Sequence, residues 1–317
     1  MNEFEIIKQF FSSKNKKVIL GIGDDAAIIA PKKNKHISIS TDTLNEGVHF
    51  LKNTNPYFLG WKSLAVNISD ITAMGSIPEY ALLSLSLPRS DKKWLSKFSQ
   101  GLKACAKKYN VELIGGDTTK GPLSINITIV GNANKGAMLK RSSAQIGDDI
   151  WVTDEIGYAH LGLLQSQKKS PKEKMSNCFI KKSLEKFNKP LPKNLMLNFL
   201  SKHLHAAIDI SDGFIADVSH ICKSSKVGAE IYIEKIPMHK WFLENNKELM
   251  ALTGGEDYEI IFTAPKKNRN VIQKYIDKNK LNSRIVGLIT KDKKINLYLN
   301  QKKIKLPKIK GFDHFGK

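Results

Sequence analysis

Residues 35–50 read KHISISTDTLNEGVHF, and their reading decides the fold. Ile37 and Ile39 alternate with Ser38 and Ser40, the period-2 pattern of a half-buried strand. On that spacing Ser38, Ser40 and Asp42 share one face, and Thr41 points the other way. The strand therefore delivers a hydroxyl and a carboxylate together where the chain leaves the sheet. Hard divalent cations take such oxygen ligands, usually one or two carboxylates plus phosphate oxygens. The same residues also suit a strand that simply ends in a polar turn, since Ser, Thr and Asp are ordinary turn formers. What weighs against that reading is recurrence: acids beside small or hydroxyl residues punctuate the chain at five further places.

The surroundings of this strand are those of a globular protein of two domains. The chain has 317 residues, 41% of them hydrophobic, with no low-complexity segment. No apolar run is long enough for a transmembrane helix, and Met1 leads into an amphipathic, charged helix and not into a signal peptide. Cys105, Cys178 and Cys222 are scattered without metal-ligand spacing. A cytoplasmic protein without membrane contact is expected. The net charge of +21 points towards nucleic acid, but Arg occurs only at 89, 141, 269 and 284. Nucleic-acid readers use Arg for bidentate contacts. The lysines fall in short runs that read as solvated faces, so no nucleic-acid partner is expected, only a general attraction for anionic ligands.

Working outward, residues 2–12 form a short helix on Phe4, Ile7, Phe10 and Phe11, and 18–20 a brief strand entering Gly21–Asp25. Asn55-Pro56 starts a helix with Phe58, Trp61, Leu64, Ala65, Ile68 and Ile71 inward. Ser63, Asn67 and Asp70 occupy another stripe; a carboxylate near a helix C-terminus opposes the macrodipole, so Asp70 is not there for helix stability. A strand at 80–87, a helix at 91–109, a polar turn at 115–119 and a strand at 124–130 close an α+β unit near residue 132. The second unit begins near Gly147, with strands at 150–153, 206–210, 229–233, 258–263, 284–289 and 295–299, and a helix at 214–223. Residues 168–194, rich in lysine and proline, read as a mobile connection with one short helix. The aromatic tail at 311–315 reads as docked.

Six sites repeat the theme of Gly, Ser or Thr beside an acid. They are Gly23-Asp24-Asp25, Ser40-Thr41-Asp42, Asn67 with Asp70, Gly116-Asp117-Thr118, Asp209–Gly213 and Gly254–Asp257. Glycine lets backbone come close to a ligand, and acids held beside it suit cations bridging a polyphosphate. Neither a G-x-x-x-x-G-K-[ST] loop nor a G-x-G-x-x-G fingerprint is present, so a nucleotide would be held by an unrelated architecture.

The motifs GIGDDAA (21–27), STDTL with His49 (40–49), LAVNISDITAMG (64–75), IGGDTT (114–119), AIDISDG (207–213), LTGGEDYE (252–259) and GFDHF (311–315) occur in this order along almost the whole chain. Together they resemble the thiamine-monophosphate kinase family of the aminoimidazole ribonucleotide synthetase superfamily. The resemblance implies an α+β protein of two α/β domains. Residues 1–135 would form an ATP- and Mg²⁺-binding, dimerising domain, and residues 136–317 a second domain completing the active site. It implies a homodimer in which N-terminal sheets pair, and a phosphotransferase passing the γ-phosphoryl of ATP directly to thiamine monophosphate with several Mg²⁺ ions. By position Asp25, Ser40, Thr41, Asp42, Asp70, Asp117, Asp209 and Asp212 would bind metal. Gly116, Asp117, Arg141 and Ser211 would contact ATP, and His49, Glu256 and Phe312 the acceptor. Asp24, Asn67 and Asp257 would stand behind them. An aromatic ATP contact of the family falls near Gln100 here and stays unassigned.

The chemistry fits the composition. Joining two phosphorylated molecules brings negative charges together, which metal-bound carboxylates relieve while aligning an in-line transfer. The attacking phosphate oxygen, with a second pKa near ~6, is already largely ionised at neutral pH, so His49 reads as a phosphate contact and not as a base. Two alternatives remain at this stage. One is another synthetase of the superfamily, although a selenophosphate synthetase usually carries a reactive Cys near its N-terminus and the first Cys here is Cys105. The other is a lysine-rich nucleic-acid-binding protein, which has no use for the acidic turns.

Overall fold

Among the described residues two sheets hold the strands, each on its own hydrophobic core. The computed structural model describes residues 1–12, 17–22 and 26–307. Asp24 and Asp25, and Phe312 with the aromatic tail, lie outside the described residues. The chain divides into two compact units, Met1–Thr72 with Ser76–Gly136, and Ala73–Gly75 with Ala137–Lys317.

The first unit opens with α1 (Glu3–Ile6), continued by a π-helical turn that buries Phe10 and Phe11. Its strands are β1 (Lys35–Asn45), β2 (Ile77–Leu87), β3 (Glu112–Lys120) and β4 (Ser124–Asn134), in the order β1-β4-β2-β3. β4 runs antiparallel to β1 and β2, while β3 is parallel to β2. Helices α2 (Pro56–Ala73) and α3 (Lys92–Tyr109) supply Leu64, Ile68, Leu95, Phe98 and Cys105 to a core shared with Leu83, Leu85, Ile125, Ile127 and Ile129 of the sheet. The Asp91 carboxylate caps α3 by accepting the Lys93 and Trp94 N–H groups, and Asn110 ends it in the left-handed conformation. Trp94 stacks on Phe98, and Trp61 is buried edge-on to Tyr109, both as packing.

Two local expectations are overturned here, and the inward face of β1 is fixed. On β1 it is Ser38 and Leu44 that are buried, while Ile37 and Ile39 are 49% and 68% exposed. The alternation is as read, but the polar face is the inner one, because β1 is a sheet edge whose inward side lies beside α2. Residues 115–119 are strand and not turn: β3 pairs with β2 from Glu112 to Lys120, across a register shift between Ala81 and Leu82. The 18–20 segment forms only an isolated antiparallel bridge, Leu20 to Ile28.

The second unit carries seven strands: β5 (Asp149–Val152), β6 (Ala206–Asp209), β7 (Gly228–Tyr232), β8 (Ile260–Ala264), β9 (Arg284–Thr290), β10 (Ile295–Leu299) and β11 (Lys302–Ile304). Their order is β11-β10-β7-β9-β5-β8-β6. Its helices are α4 (Tyr158–Ser166), α5 (Asn177–Asn188), α6 (Asn194–Leu200), α7 (Phe214–Ser225), α8 (Lys240–Glu244), α9 (Glu248–Thr253) and α10 (Arg269–Lys278). Trp151 of β5 stacks on its cross-strand partner Phe262 of β8, and the Trp241 indole N–H donates to the Lys174 carbonyl. The lysine-rich 168–194 stretch is no loose connection. Within it α5 buries Phe179, Ser183 and Phe187, and Phe179 packs edge-on against Tyr158 of α4. Among the described residues no helix is long and apolar enough to cross a membrane.

Candidate active site

In the first unit, β1 and α2 bring four of the predicted residues together. The Ser40 hydroxyl donates to Asp70 Oδ2 at 2.6 Å, linking the strand to the last turn of the helix. The Asn67 side chain makes the second link: its Oδ1 accepts the Asp42 N–H at 3.1 Å, and its amide donates to the Ser63 carbonyl. Asp42 therefore cannot drift from Asp70. Burial first, and then the Asp70 charge, push the Asp42 carboxyl up to about 6. A hydroxyl with two carboxylates held against mutual repulsion is an all-oxygen donor set that a hard cation would relieve. Thr41 is not part of it. Its hydroxyl donates to the Ile127 carbonyl and accepts from Thr128, on the other face of β1.

At the end of β1, His49 closes the turn, its Nδ1 accepting the Asn45 N–H at 3.0 Å. That bond leaves Nε2 to carry the proton of the neutral ring. Gly116 and Asp117 stand on β3. A Cβ at Gly116 would lie 1.8 Å from the Leu83 carbonyl oxygen, and its φ is +143°, so only glycine fits this parallel pairing. Gly116, Asp117 and Thr118 line a cavity of about 870 Å³ whose other walls, among them Ile7, Phe11, Ile22 and Leu82, are mostly apolar. Gln100 lies exposed on α3 and is not among the residues lining it.

In the second unit, β6 ends at the buried Asp209, and a four-residue loop leads through Ser211 and Asp212 into α7. One turn into that helix, Asp217 reaches back and accepts the N–H groups of Asp212 and Gly213, both at 3.2 Å. Burial, then the charges of Asp209 and Asp212, push Asp217 up to about 8. The ligand atoms of Asp212, Asp217 and His220 lie within 4.8 Å of one another. Asp217 and His220 were not picked out from the sequence; the signal available was an acid one helical turn beyond Ser-Asp-Gly.

A second loop, 254–259, is strapped to the first. Glu256 N–H donates to the Ser211 carbonyl and Tyr258 N–H to that of Ile210, both at 2.9 Å. Glu256 and Tyr258 have φ of +76° and +50°, left-handed conformations uncommon outside glycine. The Glu256 charge is felt by His160 of α4, whose imidazole burial holds below its usual value. Asp257 faces away from Ser211: it accepts the Gly157 and Ala159 N–H groups and caps α4. Arg141 sits with an exposed side chain on a short 3₁₀ turn, its carbonyl accepting from Ser225. Thus Asp209, Ser211, Asp212 and Glu256 gather at two joined loops.

Residues 23–133 match the AIR synthase related protein, N-terminal domain, and residues 145–300 its C-terminal domain. A thiamine-monophosphate kinase of Buchnera aphidicola subsp. Schizaphis graminum is 45% identical over 99% of each chain. The crystal structure of thiamine-monophosphate kinase from Stenotrophomonas maltophilia K279a superposes with a TM-score of 0.82, at 35% identity, covering 92% of this chain and 93% of that one. A structure described as AaThiL complexed with AMPPCP and TMP gives a TM-score of 0.77 at 31% identity, covering 98% and 96%.

Proposed function

The chain belongs to the thiamine-monophosphate kinase family of AIR synthase related proteins, and on that premise we propose that it transfers the γ-phosphoryl group of ATP to thiamine monophosphate, giving thiamine diphosphate and ADP. What carries this reading is that the likeness runs over 99% of both chains, and so spans every glycine–acid site.

Magnesium would be held in the first unit by Ser40, Asp42 and Asp70 together with Asp25 and Asp117, with Thr41 offering no side-chain ligand on that face. In the second unit Asp209 and Asp212 are a further oxygen-donor set. The fit is supported by the donors themselves, all oxygen, and by the Asp42–Asp70 repulsion that a divalent cation would cancel. When bound, magnesium supplies charge neutralisation at the phosphate oxygens. The residues of the chain do the rest by positioning. Gly116, Arg141 and Ser211 are assigned to the nucleotide, and His49, Glu256 and Phe312 to the acceptor. His49, with Nδ1 occupied as an acceptor, would present Nε2–H as its donor to a phosphate oxygen. No general base is needed for an acceptor oxygen that is already ionised at neutral pH.

The assay is direct: ATP, Mg²⁺ and thiamine monophosphate should yield thiamine diphosphate and ADP one for one. No thiamine diphosphate under those conditions overturns the reading. A chiral γ-phosphate on ATP should emerge inverted, as one in-line displacement requires; retention would mean two displacements through a phosphoenzyme. A homodimer goes with this function. Edge strand β1, with Ile37 and Ile39 exposed on its outer face, supports pairing of N-terminal units.

A further inference from the structure

The 254–259 loop carries a feature that acceptor contact alone does not require. Its alternate side chains do different work. Glu256 and Tyr258 are left-handed and bonded through their N–H groups to the neighbouring loop, while Asp257 and Glu259 are buried in the opposite direction. Glu259 is 2% exposed; its Oε2 accepts from Thr153 at 2.7 Å and its Oε1 from Lys186 at 3.0 Å. Lys186 also lies 3.6 Å from Asp154, and Lys193 bridges the same two acids at 3.0 Å and 3.7 Å. Thr153 in turn accepts the Ile260 N–H, fixing the first residue of β8. A left-handed non-glycine residue is strained and persists only where its surroundings over-determine it. Here the flanking residue on each side of Tyr258 is locked by buried polar bonds, and Gly255 packs so closely on the Ser211 carbonyl that a Cβ would sit 2.1 Å from its oxygen.

We infer that Asp257 and Glu259, with Lys186 and Lys193, are positioning residues for the acceptor: they hold Glu256 in its left-handed conformation against Ser211. This rests on the assignment of Glu256 to the acceptor. The lysines arrive from α5 and the residues following it, so the stretch that looks like a solvated linker in sequence is what tensions the loop. Replacing one ammonium leaves buried carboxylates short of a partner, and the loop relaxes toward right-handed backbone.

The test is steady-state kinetics of the full chain with ATP, Mg²⁺ and thiamine monophosphate. Lys186→Met should raise the KM for thiamine monophosphate about tenfold or more, since misplacing a binding group by an ångström carries effects of that order. Its kcat and KM for ATP should stay within about threefold, and Lys186→Arg should restore the wild-type KM. Glu256→Ala should raise the same KM, and the double variant should be no worse than Glu256→Ala alone. If Glu256→Ala leaves KM unchanged, the assignment of Glu256 fails. If Glu256→Ala raises it and Lys186→Met does not, or if the two effects add, the positioning role fails. Hydrogen exchange decides independently of activity: the Glu256 and Tyr258 amides should lose protection in Lys186→Met while β5 and β8 keep theirs, and unchanged protection overturns the inference. Should Lys186→Met not fold, the half-buried Lys193→Met is put through the same comparison and decides it.

Discussion

The acids of the first unit project from regular elements, and those of the second from loops. Ser40 and Asp42 are fixed by a strand paired along all eleven residues with β4, and Asp70 by an eighteen-residue helix, with the Ser40–Asp70 and Asp42–Asn67 bonds crossing between them. Asp209, Ser211, Asp212 and Glu256 depend instead on backbone bonds between two loops, on Asp217 reaching back over a helix N-terminus, and on a buried ion network. The first arrangement separates ligand from scaffold, so an acid there can be exchanged at little structural cost. In the second the ligand loop is itself the scaffold. A change of shape there should be felt in stability before chemistry.

The largest effect expected from this contrast is at β1 and α2. Asp42→Asn or Asp70→Asn should lower turnover about a thousandfold or more, through lost charge stabilisation of several kcal/mol. The metal-free unfolding midpoint should be unchanged or raised, because one of two mutually repelling, partly buried carboxylates is gone. Near-normal turnover at ordinary Mg²⁺ would sink the metal assignment, and a collapsed midpoint would sink the separation of ligand from scaffold. In the second unit Gly255→Ala should do the reverse. Its Cβ meets a backbone oxygen at 2.1 Å, and forcing the loops apart should cost roughly 3 kcal/mol. Gly47, beyond β1, has open space around a Cβ and only its φ of +83° to defend, so Gly47→Ala should cost about 1 kcal/mol. Denaturant unfolding of the pair measures both, and equal losses would erase the distinction.

A third effect bears on the outer face of β1. Ile39→Lys should weaken self-association by roughly 2–3 kcal/mol, the loss of a buried Ile plus the cost of a charge in its place. Sedimentation across a concentration series reads it out. A dimer as strong as the wild type would move the interface elsewhere.

Much of this was legible in sequence because it rests on local rules. The division into two units and the helix starts at Asn55-Pro56 and Asp91 follow from period and capping. The failures are where distant partners decide. A period of two says that faces alternate and not which is inside, and it is the contacts of β1 that leave Ile37 and Ile39 outside. Gly115-Gly116 has the composition of a turn, and only the Leu83 carbonyl pressed against it explains a glycine in a strand. Lys186 and Lys193 look solvated because Glu259, their acid partner, lies more than sixty residues on. The site is split likewise. Asp42 and Asp70 could be proposed from spacing, whereas Asp217 acts through backbone N–H groups that no side-chain motif advertises.

A pH-dependent effect separates the two acid environments by sign. Burial pushes the Asp154 carboxyl up, but Lys186 and Lys193 more than offset it and hold it down at about 2, against 3.8 unperturbed. A folded pKa below the unfolded one means the unfolded chain binds the proton more tightly. Stability from this group is therefore complete above the unfolded value and is lost as pH falls through the folded one, between about pH 4 and pH 2, by roughly 2 kcal/mol. Asp42 runs the other way. Its folded pKa of about 6 lies above 3.8, so without metal the group costs stability increasingly as pH rises from about 4 to 6. Urea unfolding in EDTA across pH 2 to 7 would compare the wild type with Asp154→Asn and Asp42→Asn. Subtracting each variant from the wild type cancels the titration of the other carboxylates. The Asp154 difference should shrink toward acid, where the wild type loses its advantage. The Asp42 difference should grow toward neutral, where the variant gains one. Two difference curves of the same sign would mean that Asp154 is not held by its lysines or that Asp42 is not strained by Asp70, and the contrast between a tensioned network and a repelling pair would fall.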